Sequence, residues 1–353
     1  MTLLRGIAIS CIEIHDNGLT EYGSIPPSCW PFQVTRFGLY RKVSLQYLTE
    51  FCSMKAYIIT GPTSGIGYAT ALELAKHGVI ILVGRNRDKL TRVQTTIEAA
   101  GQKAVPVVCD ISDMKSVSNA ARQIVSLGLP VAGLLNNAGI MPAKPSKTTQ
   151  GWDSTFATNH LGPFVLTERL TSHLPEGANI VFVASAIEDP ERRPAKIMGM
   201  KGGRYISAEA SARGEWKAGG SKMPGIDAYA TSKQCILASA MAFAREDRRL
   251  HYNAVEPGIT RGTNLGGEST NAFLRFLFGH LMAIVPPFSK YSSTPKKSAK
   301  VITGILTDTS GKTGIYFDEK GRPMLGSELV RDTAFQDRVV AETRTLLSTM
   351  NYG

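Results

Sequence analysis

Tyr229 and Lys233 stand four residues apart in Tyr229-Ala230-Thr231-Ser232-Lys233, near the start of an apolar helical stretch that runs to about Ala244. Positions i and i+4 share one helix face. A phenol with its usual pKa near ~10 holds its proton too firmly to release it readily at neutral pH, and an adjacent cation favours the phenolate. The two side chains could therefore act as an acid/base pair. A surface tyrosine and lysine that happen to be four apart would look the same. Ser185 ends the apolar run Asn179–Ala184 and could hydrogen-bond a substrate carbonyl, or simply cap the loop that follows. Asn159 lies in the helical segment Trp152–Leu170. Asparagine is a poor helix former, so a polar task is favoured there over a solvated face.

A second group of residues suits a phosphate-bearing ligand. Thr60-Gly61-Pro62-Thr63-Ser64-Gly65-Ile66-Gly67 follows the apolar run Ala56–Ile59 and opens a helical pattern from Tyr68 to His77. A strand, a glycine-rich turn and a helix N-terminus together hold a dinucleotide pyrophosphate: the glycines allow a tight turn and close backbone approach, and the unpaired N–H groups face the charge. An ordinary glycine-rich turn is the alternative. The spacing is G-x-x-x-G-x-G. Asn136-Asn137-Ala138-Gly139 follows Gly133-Leu134-Leu135, and small and amide residues at a strand end suit a backbone that lines a cofactor.

Strands and helices must alternate to bring these groups together. Apolar runs fall at Tyr57–Ile59, Val79–Val83, Ala104–Val108, Gly133–Leu135, Ile180–Val183, Tyr252–Val255 and Gly314–Phe317. Helical patterns fill most of the gaps, including Ala69–Lys76, Asp88–Ala99 and Met114–Leu127. Continuous apolar strands separated by helices predict an α/β fold, doubly wound, with a mostly parallel seven-stranded sheet and its ligand at the carboxyl ends of the strands. Residues 1–53 lack a sustained period and read as a poorly ordered extension, with the ordered domain beginning at Met54. Residues 190–225 hold seven glycines, eight Lys/Arg and three Glu, and predict a structureless insertion.

Composition narrows the function classes. The chain has 353 residues, 20% of them charged, and a net charge of +11 that lies wholly in residues 54–353. No basic-aromatic motif accompanies that charge, so nucleic acid is not expected as a partner. The five cysteines include no C-x-x-C pair, which argues against a zinc site and a disulfide framework and for a reducing, cytoplasmic setting. No apolar run is long enough to span a membrane; Ala272–Phe288 reads as an amphipathic cover segment.

The ordered set of strand-TGxxxGIG, NNAG, a helical Asn, a strand-end Ser and YxxxK resembles the short-chain dehydrogenase/reductase family over about residues 55 to 345. Glu256-Pro257-Gly258-Ile259-Thr260 is similar to the family's Pro-Gly turn beside the nicotinamide. The resemblance implies that Tyr229 is the general acid/base and that Lys233 lowers its pKa and binds the nicotinamide ribose. Ser185 would polarise the carbonyl, and Asn159 would hold a relay water. Gly61, Thr63, Ser64, Gly65, Ile66 and Gly67 would cradle the pyrophosphate. Asp110 would meet the adenine, Asn137, Ala138 and Gly139 would line the adenosine side, and Pro257, Gly258, Ile259 and Thr260 would border the nicotinamide. The second strand is followed by Arg85-Asn86 with no acidic residue, about 20 residues beyond the glycine turn. A guanidinium there suits a 2′-phosphate, so NADP(H) is expected over NAD(H), with Arg85 and Asn86 at the cofactor; an exposed surface arginine is the alternative.

Ser185 and Tyr229 are 44 residues apart, much further than in typical members, and the 190–225 insertion supplies the difference as an expected lid or substrate wall. Either Thr260 or Thr263 could meet the nicotinamide amide. The segment Phe273–Phe288 suggests a lipophilic carbonyl or alcohol substrate, as in the retinol dehydrogenase-like branch, and leaves peripheral membrane contact open. A homo-oligomer is implied by the family. The competing function is a non-catalytic NADP(H)-binding sensor or interaction protein, which would have no need of Asn159, Ser185, Tyr229 and Lys233.

Overall fold

Each of the seven apolar runs forms a parallel strand. They are β3 (Ala56–Thr60), β4 (Val79–Gly84), β5 (Ala104–Val108), β6 (Val131–Asn136), β7 (Asn179–Val183), β8 (His251–Val255) and β11 (Ile315–Phe317) in a computed structural model. The structure describes residues 11–15, 18–22, 54–142, 144–222, 225–260 and 288–349. A short antiparallel edge strand, β12 (Pro323–Met324), pairs with β11 and makes the sheet eight-stranded, in the order β12-β11-β8-β7-β6-β3-β4-β5. Two further strand pairs stand apart: β1 (Cys11–His15) with β2 (Gly18–Tyr22), and β9 (Ile259–Thr260) with β10 (Ser292–Ser293).

The sheet is covered on both faces, so both sides of its central strands are apolar. Ile58 and Ile81 turn to one core with Val117, Phe164, Phe182 and Phe243. Ile59, Ile80 and Leu82 turn to the other with Leu74, Ile97, Ile302 and Leu306. The second core is closed by α1 (Gly65–Leu74), α2 (Arg87–Ala99) and α9 (Pro295–Leu306). The first is closed by α3 (Met114–Ser126), by α4 (Ser154–Phe156) running into α5 (Gly162–Thr171), and by α8 (Ile226–Glu246) and α11 (Thr333–Ser348). Between α4 and α5 the chain widens into a π-turn, Ala157–Leu161.

The order reverses at β3. The chain leaves it outward through β4 and β5, then returns to its other side as β6. That switch point opens a crevice at the strands' carboxyl ends. The glycine turn after β3 and the Asn137–Gly139 segment after β6 both lie there.

The 190–225 stretch is not structureless, contrary to the expectation from its composition. It folds as α6 (Arg193–Ile197) and α7 (Ala208–Arg213), with α10 (Glu328–Arg331) following much later in the chain. Tyr205, Ala208, Ala210 and Ala212 are buried, and α7 packs on α11. The Tyr205 hydroxyl donates to Glu342 at 2.6 Å, and the Arg204 N–H donates to Thr231 Oγ1 at 2.7 Å. Glycines at the turns break the apolar residues into runs too short to show a period. At the α6 end, Ala195, Met200 and Ile226 cluster with Met141 and Ile187. The remainder leans on α8 and α11. Residues 272–287, Arg261 and Thr263 lie outside the described residues.

Candidate active site

The cradle after β3 leaves no room for a side chain. Gly61 and Gly65 hold φ of +68° and +55°, a left-handed backbone that favours glycine. A Cβ on Gly67 would lie 2.2 Å from the Gly61 carbonyl oxygen and 2.5 Å from Asn137 Nδ2. Asn137 Nδ2 donates to the carbonyls of Thr60 (2.8 Å) and Gly61 (3.2 Å). Thr60 Oγ1 accepts the N–H groups of Asn137 (2.9 Å) and Ala138 (3.0 Å). Asn137 and Thr60 thus stitch the end of β3 to the end of β6. Ser64 opens α1 in extended backbone, exposed, and its hydroxyl makes no capping bond. A helix N-terminus with unspent N–H groups, an uncommitted hydroxyl and a cradle that excludes a Cβ fits a pyrophosphate.

Two predicted cofactor residues border this cradle. Arg85 follows β4, exposed, with no hydrogen bond or ion pair among the described residues. Asn86 has a structural task, since its side chain caps α2 by accepting the Lys89 N–H at 2.9 Å. After β5, Asp110 is half-buried, and its Oδ1 accepts from the Ser112 N–H (2.9 Å) and hydroxyl (2.7 Å).

The four predicted catalytic side chains converge, although three separate elements carry them. Tyr229 lies in the first turn of α8, with Ser185, which follows β7, near enough to lower its pKa. Lys233, one turn along, donates to the Val183 carbonyl at 2.7 Å, and its Nζ is 5.6 Å from the centre of the Tyr229 ring. Asn159 sits in the π-turn. Its Oδ1 accepts the Ile140 N–H (2.8 Å), and its Nδ2 donates to the Ile140 carbonyl (2.9 Å) and Ser232 Oγ (3.0 Å). The Ser232 hydroxyl in turn donates to the Tyr229 carbonyl at 2.7 Å. A Cβ on Gly139 would stand 3.2 Å from Asn159 Oδ1 and 3.6 Å from Lys233 Nζ, so the bare backbone there leaves the crevice open.

The electrostatics differ from expectation in one respect. Burial raises the Tyr229 pKa above the ordinary phenol value, the nearby Glu256 carboxylate raises it further, and the Ser185 side chain pulls it down. The Lys233 ammonium donates to the Val183 carbonyl, and burial is the larger influence on the phenol. Burial pushes Lys233 itself down to about 8, with Glu256 opposing. The phenol therefore keeps its proton at neutral pH, as a proton donor must.

The turn after β8 closes the site. Gly258 has φ +74°, and a Cβ there would lie 2.6 Å from the Tyr291 carbonyl oxygen. Thr260 Oγ1 donates back to the carbonyls of Pro257 and Gly258, each at 3.1 Å. Three residues with work here went unassigned in the sequence: Thr60, Ser232 and Glu256. Each adjoins a motif residue, and adjacency was their one available signal.

The family profile described as short chain dehydrogenase matches residues 55–193, a span that holds the glycine cradle, Asn159 and Ser185. Over these residues the chain is similar to the short-chain dehydrogenase/reductase family. The chain is 36% identical to human polyprenol dehydrogenase over 138 residues, 36% of this chain and 42% of that protein. It thus matches under half the length of that relative. It is 29% identical to mouse retinol dehydrogenase 12 over 281 residues, covering 77% of this chain and 80% of that one. With pea chloroplast protochlorophyllide reductase the identity is 27%, over 74% and 68% of the two chains. The fold matches that of a dehydrogenase/reductase from Sinorhizobium meliloti at a TM-score of 0.55 and 24% identity, covering 77% of this chain and 96% of that one. A metagenomic blue fluorescent protein in complex with NADPH matches at a TM-score of 0.54 and 23% identity, over 77% and 99%. Among the described residues no helix is long and apolar enough to cross a membrane, and no side-chain cluster could hold a metal.

Proposed function

We propose that this chain is an NADP(H)-dependent oxidoreductase that interconverts a carbonyl and an alcohol on a lipophilic small molecule. The observation that carries this reading is the gathering of Ser185, Tyr229, Lys233 and Asn159 at the mouth of a glycine cradle, with Lys233 Nζ 5.6 Å from the centre of the Tyr229 ring. When bound, the nicotinamide supplies or accepts the hydride. Ser185 holds and polarises the carbonyl oxygen, and Tyr229 Oη donates the proton that the forming alkoxide takes. Lys233 offsets the charge left on the phenol oxygen, and Asn159 fixes Ile140 and Ser232 behind it. The names of two relatives, polyprenol and retinol dehydrogenase, point to lipophilic alcohols as the substrate class. NADPH and NADH turnover against a panel of aldehydes, ketones and quinones tests the reading; equal rates in wild type and Tyr229→Phe would overturn it.

Cofactor preference rests on Arg85. Its exposed guanidinium, unengaged among the described residues, follows β4 where a 2′-phosphate would be met. Losing one charge-assisted contact of this kind costs on the order of 10- to 100-fold in affinity. Arg85→Ala is therefore expected to raise KM for NADPH by roughly that factor and to leave KM for NADH nearly unchanged. Parallel steady-state measurements with both cofactors check it, and an equal effect on the two would remove Arg85 from the account.

The pH dependence follows from Lys233. It is charged below about 8 and neutral above. Tyr229 keeps its proton well beyond that point, so the acid itself stays available. The charge that supports the phenolate is what disappears. Carbonyl reduction at saturating NADPH is expected to fall as pH rises through about 8. A kcat profile flat well into the alkaline range would contradict this.

A further inference from the structure

Glu256 is a buried carboxylate that the proton transfer above does not use. It closes β8, and its own N–H is fixed by the Phe317 carbonyl at 2.8 Å. Its side chain then reaches two loops. Oε2 accepts the N–H of Ala186, the residue directly after the catalytic serine. Oε1 accepts the N–H of Gly258 at 2.8 Å, in the turn that borders the nicotinamide position. A buried carboxylate is costly unless hydrogen-bonded, and here two backbone donors from two loops supply the bonds. Those loops carry the group that would hold the carbonyl and the turn that would flank the hydride donor. Their separation fixes how the reacting carbon meets the ring.

We propose that Glu256 is a positioning residue, whose carboxylate pins the Ser185–Ala186 loop to the Pro257–Gly258 turn at one fixed spacing. The inference rests on the carbonyl/alcohol reading above and deepens it. Charge is the second part of its role. Lys233 and Tyr229 face it from α8, Arg192 from the insertion, Glu188 from the loop after Ser185, and Tyr316 and Glu319 from the β11 side. Its negative charge holds up the pKa of both Lys233 and Tyr229. Removing it lowers both, so the alkaline limb of the reduction profile moves to lower pH.

The test compares Glu256→Gln and Glu256→Ala with wild type in the whole chain. The readouts are kcat and KM for reduction across pH, together with NADPH binding by fluorescence. Glutamine keeps one acceptor oxygen and turns an amide N–H₂ toward a backbone donor; alanine removes both acceptors. The expected result is a fall in kcat on the order of 10-fold for Glu256→Gln and 100-fold for Glu256→Ala. NADPH affinity should stay within about threefold, and the alkaline limb of Glu256→Gln should shift acidward by roughly half a unit or more. A Glu256→Gln protein with wild-type kcat and an unmoved limb overturns the proposal while leaving the parent reading intact. Loss of NADPH binding and kcat together also overturns it, in favour of general structural support. A wild-type protein without carbonyl turnover would overturn both readings.

Discussion

Tyr229→Phe is expected to lower kcat for carbonyl reduction by about 10²- to 10⁴-fold while NADPH still binds. The ring fills the same volume, so the packing around α8 is kept. In the proposed reaction the Tyr229 hydroxyl, beside Ser185, hands the proton to the reacting oxygen. Its raised pKa favours this direction of reaction: the phenol is fully protonated at neutral pH and loses its proton only as the substrate oxygen gains charge. The reverse reaction needs phenolate and should gain with pH until Lys233 titrates. Steady-state NADPH consumption, with fluorescence quenching to confirm binding, reads both halves of the expectation. Retained turnover would assign the proton to another donor.

The second large effect is at Gly67. Alanine is the better helix former by about 1 kcal/mol, so on propensity alone Gly67→Ala in α1 should stabilise. The contacts decide otherwise. The added Cβ would sit 2.2 Å from the Gly61 carbonyl oxygen, which is backbone and cannot swing aside. Overpacking of this kind costs about 1–3 kcal/mol. It would also displace Asn137 Nδ2, 2.5 Å from the new atom, from its two carbonyl acceptors. The turn must open, and the pyrophosphate cradle opens with it. Gly67→Ala is expected to weaken NADPH binding by on the order of 100-fold or more and to lower Tm. Gly304 in α9 is the matched control: it is exposed, and a Cβ there meets nothing within 4 Å. Gly304→Ala should raise stability by about 0.5–1 kcal/mol with cofactor affinity unchanged. Calorimetry and NADPH titration of the two variants separate local crowding from any general intolerance of helix glycine replacement.

The parallel sheet was legible because strands buried on both faces leave continuous apolar runs. Val79–Val83 is one such run, and its strand extends by a single residue to Gly84. Ser185 was legible as a crevice residue because it follows a strand, and Tyr229 and Lys233 because they share one helix face. The rest depends on what topology brings together. β12 has two residues and no period to read. The π-turn that presents Asn159 leaves no mark in an apolar pattern spaced for an α-helix. The insertion buries Tyr205 against α11 through contacts more than a hundred residues away in sequence, so its glycine and charge content misrepresented it. Glu256 escaped because its partners are backbone N–H groups of Ala186 and Gly258, and a backbone group carries no sequence signal. The burial that raises the Tyr229 pKa was likewise not visible in the sequence. Spacing puts Lys233 near the ring, but the Val183 carbonyl takes its ammonium, and burial then sets the phenol.

In the proposed reaction this chain passes a hydride between a nicotinamide and a carbonyl, with Tyr229 supplying the proton. The most direct measurement follows deuterium from C4-labelled NADPH into product, for wild type and Tyr229→Phe, across apolar aldehydes, ketones and quinones. The account predicts label on the carbon of the new alcohol with wild type, and a loss of about 10²-fold or more in its rate with Tyr229→Phe. NADPH binding with no label transferred to any carbonyl, or equal transfer by the two proteins, would contradict it.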